Sequence, residues 1–296
     1  MVRIGLSVYD VRAPDLLDLA VAADSAGFDA IWLGEHLLLP QSYGSVHPTH
    51  GDTAHEHHAG PIVDPETELL DPLVALGAAA AVTTRLKLAT GIYLLPLRHP
   101  LVTARAVCSL HEISRGRFML GVGAGWLREE FDALDVPFAG RGARLEEALS
   151  IVRGALAGGP VAHTGEHFTF GKVQVTPRPA EVPLVLGGNT ERALRRAARL
   201  GDAWFSSGTP SFEDALILRD RLAQLCAEYG RGPLPCYFRV QRWDGDLVRR
   251  YEAEGIENLV LWADQVWPRT GESSPGESSS AEKRQNLVAA ARRLGI

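Results

Sequence analysis

Eight short apolar runs, each followed by a stretch with helical spacing, constrain this chain more than any other feature. The runs are Arg3–Tyr9, Ala30–Gly34, Leu86–Leu94, Arg117–Val122, Leu184–Leu186, Ala203–Phe205, Cys236–Val240 and Asn258–Trp262. After the first run, Asp15–Ala26 carries Leu16, Leu19, Ala20 and Ala23 at helical spacing and stops at Gly27, a residue suited to a helix C-cap. Asp71 and Pro72 open an Ala-rich helix to about Thr84, with proline in the first turn, where a missing N–H breaks no bond. Further helices are expected over Leu101–Ile113, Trp126–Leu134, Gly142–Leu156, Thr190–Leu200, Phe212–Tyr229, Asp246–Glu254 and Glu282–Leu294.

Such alternation implies parallel strands covered by helices. Eight units in 296 residues favour closure into a single (β/α)8 barrel domain over 1–296. The competing arrangement is an open, doubly wound sheet, but no GxGxxG follows the first strand, where a dinucleotide fold would need it. Two insertions break the rhythm. One, Leu37–Leu70 after the second strand, carries Pro, Gly and His without a clear period; the other, Ala157–Val182 before the fifth, contains a hairpin-like alternation over Thr164–Val175. The Ser/Gly-rich segment Gly271–Ser280 reads as a flexible surface link.

A net charge of −6 argues against a nucleic-acid partner, because no basic face is available to neutralise phosphates. The densest cationic cluster, Arg192, Arg195, Arg196 and Arg199, sits on one expected helix and reads either as a solvated face or as a contact for a phosphate-rich ligand. Cys108, Cys226 and Cys236 are odd in number and lack CxxC spacing, which disfavours a disulfide framework and a structural zinc site. No charged-then-apolar leader precedes Arg3, and no apolar stretch reaches the roughly 18 residues of a membrane span. The expectation is a cytoplasmic protein without a membrane partner.

In a barrel of this kind the loops leaving the strand C-termini build the active site. Glu35 and His36 follow the second strand directly. Histidine titrates near neutral pH and can serve as acid, base or hydrogen-bond donor. Side chains alternate along an extended chain, so one of the pair is expected to face the mouth and the other the rim. Thr90-Gly91-Ile92-Tyr93 ends the third strand, where glycine permits either backbone approach to a flat ligand or a rim bulge. Gly121 to Trp126 ends the fourth; Gly123 and Gly125 allow close approach, and Trp126 suggests an aromatic pocket wall or a residue packed under a loop. Gly187-Gly188-Asn189-Thr190 ends the fifth and opens a helix, whose N–H groups and positive end suit a phosphate. His47, His50, His55, His57 and His58 crowd the long loop, but no matching ligands stand at other strand ends, so a polar lid is expected rather than a metal site.

At these residues the chain resembles the luciferase-like monooxygenase superfamily, in particular its short F420-dependent oxidoreductases. The matching stretches are AGFDAIWLGEH (26–36), DPLVAL (71–76), LATGIYLLPLRHP (88–100), SRGRFMLGVGAGWLREEF (114–131), RGARLEEAL (141–149), VTPRPAEVP (175–183) and PLVLGGNTERALRRAARLGDAW (183–204). The resemblance implies an oxidoreductase passing a hydride between coenzyme F420 and a small apolar or aromatic organic substrate. His36 would lie near the reactive ring as the catalytic residue, with Glu35 beside it. The Gly91–Tyr93 segment (Gly91, Ile92, Tyr93) would form a bulge behind the ring, often with a non-proline cis peptide, and Thr90 would join it in the cofactor site. Gly123 and Gly125 would line the cofactor site, Gly187, Gly188 and Asn189 would hold the cofactor phosphate, and Thr190 would stand beside them at the helix start. Trp126 stands where sugar-phosphate dehydrogenases of the family carry a catalytic glutamate, which implies a substrate wall and a missing acid. The alternative is an FMN-dependent monooxygenase fed by a separate reductase; a metal-dependent hydrolase and a non-catalytic cofactor-binding barrel stand further off. A homodimer is the assembly the resemblance implies.

Overall fold

A computed structural model describes residues 2–47, 63–178, 181–241, 245–268 and 280–296. Strands β1 (Arg3–Val8), β2 (Ala30–Leu33), β3 (Lys87–Thr90) and β4 (Phe118–Val122) follow one another around a sheet. An antiparallel hairpin, β5 (Pro160–Thr164) and β6 (Thr169–Gln174), stands apart from it. The sheet continues through β7 (Leu184–Gly187), β8 (Ala203–Phe205), β9 (Cys236–Val240) and β10 (Asn258–Trp262). Every neighbouring pair is parallel, and β10 returns to β1 with Ile4 opposite Leu259 and Leu6 opposite Leu261, closing the barrel.

The helices are α1 (Ala13–Ala26), α2 (Pro72–Val82), α3 (Pro100–Ile113), α4 (Arg128–Ala133), α5 (Arg141–Leu156), α6 (Glu191–Leu200), α7 (Phe212–Glu228), α8 (Gly245–Ala253) and α9 (Ser280–Leu294). The expected caps are in place. Asp71 accepts from the N–H groups of Leu73 and Val74 at the start of α2, and Gly27 ends α1 at φ 95°. No helix among the described residues is long and apolar enough to cross a membrane.

Burial on both faces explains why the strands read as apolar runs rather than as alternating patterns. Outward-facing Ile4, Leu6, Ile31, Leu88, Phe118 and Leu186 pack against the helices. Inward-facing Ala30, Trp32, Ala89, Met119, Val185, Ala203, Phe205 and Val260 fill the barrel itself. At about 1.5–3 kcal/mol for each large side chain, the outer layer dominates stability, because the inner one includes three alanines.

Two expectations need correction. The third strand stops at Thr90, not Leu94; the Gly91–Ile92 peptide is cis, and past it only Tyr93 pairs again, as an isolated bridge to Val122. The hairpin begins at Pro160, since Pro160–Thr164 pairs with Thr169–Gln174; the sequence pattern over Thr164–Val175 caught only its second strand. The expected link over Gly271–Ser280 lies, apart from Ser280, outside the described residues.

Asp24 ties α1 to the start of β3. Partial burial opposes its ionisation, but the N–H groups of Thr84, Leu86 and Arg85 and the Thr84 hydroxyl outweigh that and hold its carboxyl below the usual range. A lowered folded-state pKa stabilises above the unfolded value and loses that contribution as pH falls through the folded one. Asp24→Asn is therefore expected to cost about 1 kcal/mol at pH 7, discounted for solvent screening, and to flatten the acid limb of a stability-versus-pH curve. Thermal unfolding between pH 2 and 7 measures both.

Candidate functional site

A cavity of about 1140 Å³ opens at the C-terminal end of the barrel. That is slightly above the usual range for a pocket holding one drug-sized ligand. Glu35, His36, Gly91, Ile92, Gly123, Gly125, Trp126, Gly187, Gly188, Asn189 and Thr190 all line it. Thr90 and Tyr93 do not belong to its lining. Thr90 is fully buried and its hydroxyl donates to the Gly121 carbonyl at 2.6 Å. Tyr93 is buried with the Arg98 guanidinium 4.0 Å from its ring centre.

Glycines let the bend after β3 press against its neighbours. A Cβ on Gly123 would lie 1.9 Å from Ile92 Cδ1, one on Gly187 would lie 3.0 Å from the same atom, and one on Gly91 would meet Trp32 Cβ at 3.1 Å. The floor between β3, β4 and β7 is therefore backbone and a single Ile92 side chain. A flat ligand can approach it closely.

Glu35 and His36 divide as the alternation of an extended chain requires. The Glu35 carboxylate is buried, pairs with Arg98 and accepts the Leu94 N–H at 3.0 Å. Burial pushes its carboxyl up, against the Arg98 charge and the Leu94 bond. It fastens the rim.

His36 has a partner that sequence reading missed. Its Nδ1 lies 2.8 Å from Glu130 Oε2, and the Glu130 side chain is fully buried. The other oxygen, Oε1, accepts the N–H groups of Leu37 at 2.6 Å and Leu38 at 3.2 Å. Glu130 stands in the first turn of α4, behind the imidazole, and does not itself line the cavity. Trp126 itself meets His36 edge-on at 5.8 Å between ring centres and His47 at 4.9 Å. The adjacent pair of acids after Trp126, at the start of a helix leaving a barrel strand, was the available sequence signal.

The neighbouring Glu129 accepts the Gly44 and Ser45 N–H groups and the Ser45 hydroxyl. Burial raises its pKa, but these bonds outweigh it and hold the carboxyl below the usual range. Residues 37–47 are thereby anchored to α4 at both ends. Residues 48–62 of the expected lid, with His50, His55, His57 and His58, lie outside the described residues. Among the described residues no group of His, Cys, Asp and Glu could hold a metal ion.

After β7, Gly188 sits at φ 113°, and Trp204 Nε1 donates to its carbonyl at 2.8 Å. Asn189 is engaged at both ends of its amide: Nδ2 donates to Ser207 O at 2.9 Å and Oδ1 accepts Ser207 N–H at 2.8 Å. Its side chain shapes the turn. Thr190 caps α6 by accepting the Ala193 N–H at 3.3 Å. Arg192, Arg195, Arg196 and Arg199 line the cavity from α6, joined by Arg141. Glu146 pairs with Arg196 and Arg199, and Glu191 and Glu228 pair with Arg195, so this wall is only partly neutralised.

The family model of luciferase-like monooxygenases matches residues 3–242. An uncharacterised protein of Mycobacterium tuberculosis is 33% identical over 250 residues, covering 83% of each chain. An F420-dependent glucose-6-phosphate dehydrogenase of Nakamurella multipartita is 31% identical over 218 residues, covering 70% of this chain and 57% of that one. Among solved structures, the monooxygenase RslO1 of Streptomyces bottropensis superposes with a TM-score of 0.71 at 20% identity, covering 99% of this chain and 98% of that one.

Proposed function

The chain belongs to the luciferase-like monooxygenase family, and from that premise we propose that it is an F420-dependent oxidoreductase acting on a small organic substrate in the same cavity. The observation that carries this reading is one cavity with a side-chain-poor floor and an arginine-rich wall. The glycine floor suits a flat ring, since Cβ atoms at Gly123 and Gly187 would crowd Ile92. F420 and FMN carry similar tricyclic rings, deazaflavin in one and flavin in the other, and a phosphate on a ribityl chain, but F420 continues into a phosphodiester and polyglutamate tail. Five arginines on the wall, with Glu35 and Glu146 the acids that line the cavity among the described residues and Glu191 and Glu228 pairing with Arg195 from outside it, support the longer anionic ligand.

The coenzyme, when bound, would supply hydride chemistry at its ring. Backbone N–H groups of Asn189 and Thr190 and the positive end of α6 would hold its phosphate, with Gly187 and Gly188 allowing its close approach, since the Gly188 N–H already donates to the Phe205 carbonyl. Arg141 and the α6 arginines would hold the tail. Glu130, as a carboxylate, requires the proton of neutral His36 to sit on Nδ1, which leaves Nε2 to exchange a proton with substrate. Glu130 is a positioning residue in this scheme, and Trp126 gives the substrate an apolar wall that excludes water.

Turnover of a substrate panel under nitrogen and under air tests the reading. F420-linked conversion at the same rate in both is expected. Product formation that needs oxygen and reduced FMN from a separate reductase would instead make the chain a two-component monooxygenase.

A further inference from the structure

Inward-pointing residues at the upper ends of the strands divide the barrel mouth into two unlike halves. Gly91, Gly123 and Gly187 form one half, and Ser7, Arg239 and Trp262 form the other; all six line the cavity. The first half matches the floor already described. The second half holds a charge that the proposed chemistry has not used.

Arg239, on β9, is half-buried, with its guanidinium 4.3 Å from the Trp262 ring centre and 5.1 Å from that of Phe205. Its Nε is buried and has no hydrogen-bond partner. Other half-buried arginines have acceptors: Arg98 has Glu35, Arg196 has Glu146, and Arg117, Arg141, Arg144 and Arg231 donate to backbone carbonyls. No carboxylate pairs with Arg239 among the described residues. Removal from bulk water pulls its pKa down only to about 10, so it stays cationic at neutral pH. A desolvated charge without a counter-ion is costly, and an arriving anion would offset that cost.

We propose that Arg239 anchors a carboxylate subsite for the substrate, so that this enzyme acts on an organic acid with an aromatic or apolar body. The inference rests on the reading of this cavity as the catalytic site. A planar guanidinium with its donors in a fixed fork matches a carboxylate in bidentate geometry. Phe205 and Trp262 flank it, and Trp126 adds an aromatic wall on the His36 side. The phosphate-holding turn follows β7, two strands away from β9, and already has the α6 arginines.

The test is calorimetric titration of the full chain with benzoate, benzamide, benzenesulfonate and phenyl phosphate, with and without F420. Wild type is expected to bind benzoate at least tenfold more tightly than neutral benzamide. Arg239→Met should abolish that preference and Arg239→Lys should keep part of it, with F420 affinity unchanged in both. Melting curves report whether each variant is folded. Equal binding of benzoate and benzamide by wild type, or no binding of either, would overturn the proposal. So would an Arg239→Met variant that loses F420 but keeps benzoate, which would assign the guanidinium to the cofactor. Tighter binding of the sulfonate or phosphate than of benzoate would overturn the carboxylate assignment. Benzoate preference in a wild-type protein that ignores F420 would retain the subsite and reject the cofactor reading.

Discussion

Replacing His36 with alanine is expected to lower turnover by about 100- to 10,000-fold while F420 affinity stays within about threefold, the range set by losing one positioned acid–base group. The imidazole faces the cavity at the end of β2, with Glu130 behind it and Trp126 at its edge. The glycine floor and the turn after β7 do not depend on it, so binding should survive. Glu130→Gln should give a smaller loss. The amide can still accept the Leu37 and Leu38 N–H groups, but it no longer presents a carboxylate to Nδ1. Steady-state kinetics and a cofactor titration on both variants separate the two effects. Unchanged turnover in His36→Ala would remove this residue from the mechanism.

Gly121→Ala is expected to destabilise the fold by more than about 3 kcal/mol, at the upper end of overpacking costs, and to leave little folded protein. A Cβ at this position would lie 1.9 Å from the Thr90 carbonyl oxygen and 3.1 Å from its carbon. Both atoms are backbone of β3, held between β2 and β4, and the Thr90 hydroxyl adds its bond to Gly121 O. Nothing there can rotate away. Gly123→Ala is the instructive contrast, because its Cβ would meet only the end of the Ile92 side chain. That variant should fold, with Ile92 displaced toward the cavity and F420 binding weakened. Urea unfolding of the two compares them directly; a Gly121→Ala protein within about 1 kcal/mol of wild type would contradict the close approach of β3 and β4.

The barrel was legible because each strand is buried on both faces and each helix repeats at its own period. These are local patterns, and they survive without tertiary information. Rim positions were legible for the same reason, once the fold said which strand ends matter. Glu130 was not, because its role depends on a contact with a residue 94 positions earlier. Arg239 was invisible for a related reason: an arginine in a strand looks solvent-facing until the closed sheet turns it inward. Asn189 looked like a ligand group, but its amide is engaged with Ser207 on the neighbouring loop. Thr90 and Tyr93 were named by adjacency to Gly91, and the bend that follows β3 leaves both beneath the floor.

Whether the mouth of this barrel takes F420 is decided by a fluorescence-quenching titration of the wild-type chain with F420 and with FMN. Saturable quenching at one F420 per chain is expected, with FMN bound more weakly. Binding of neither cofactor would contradict it.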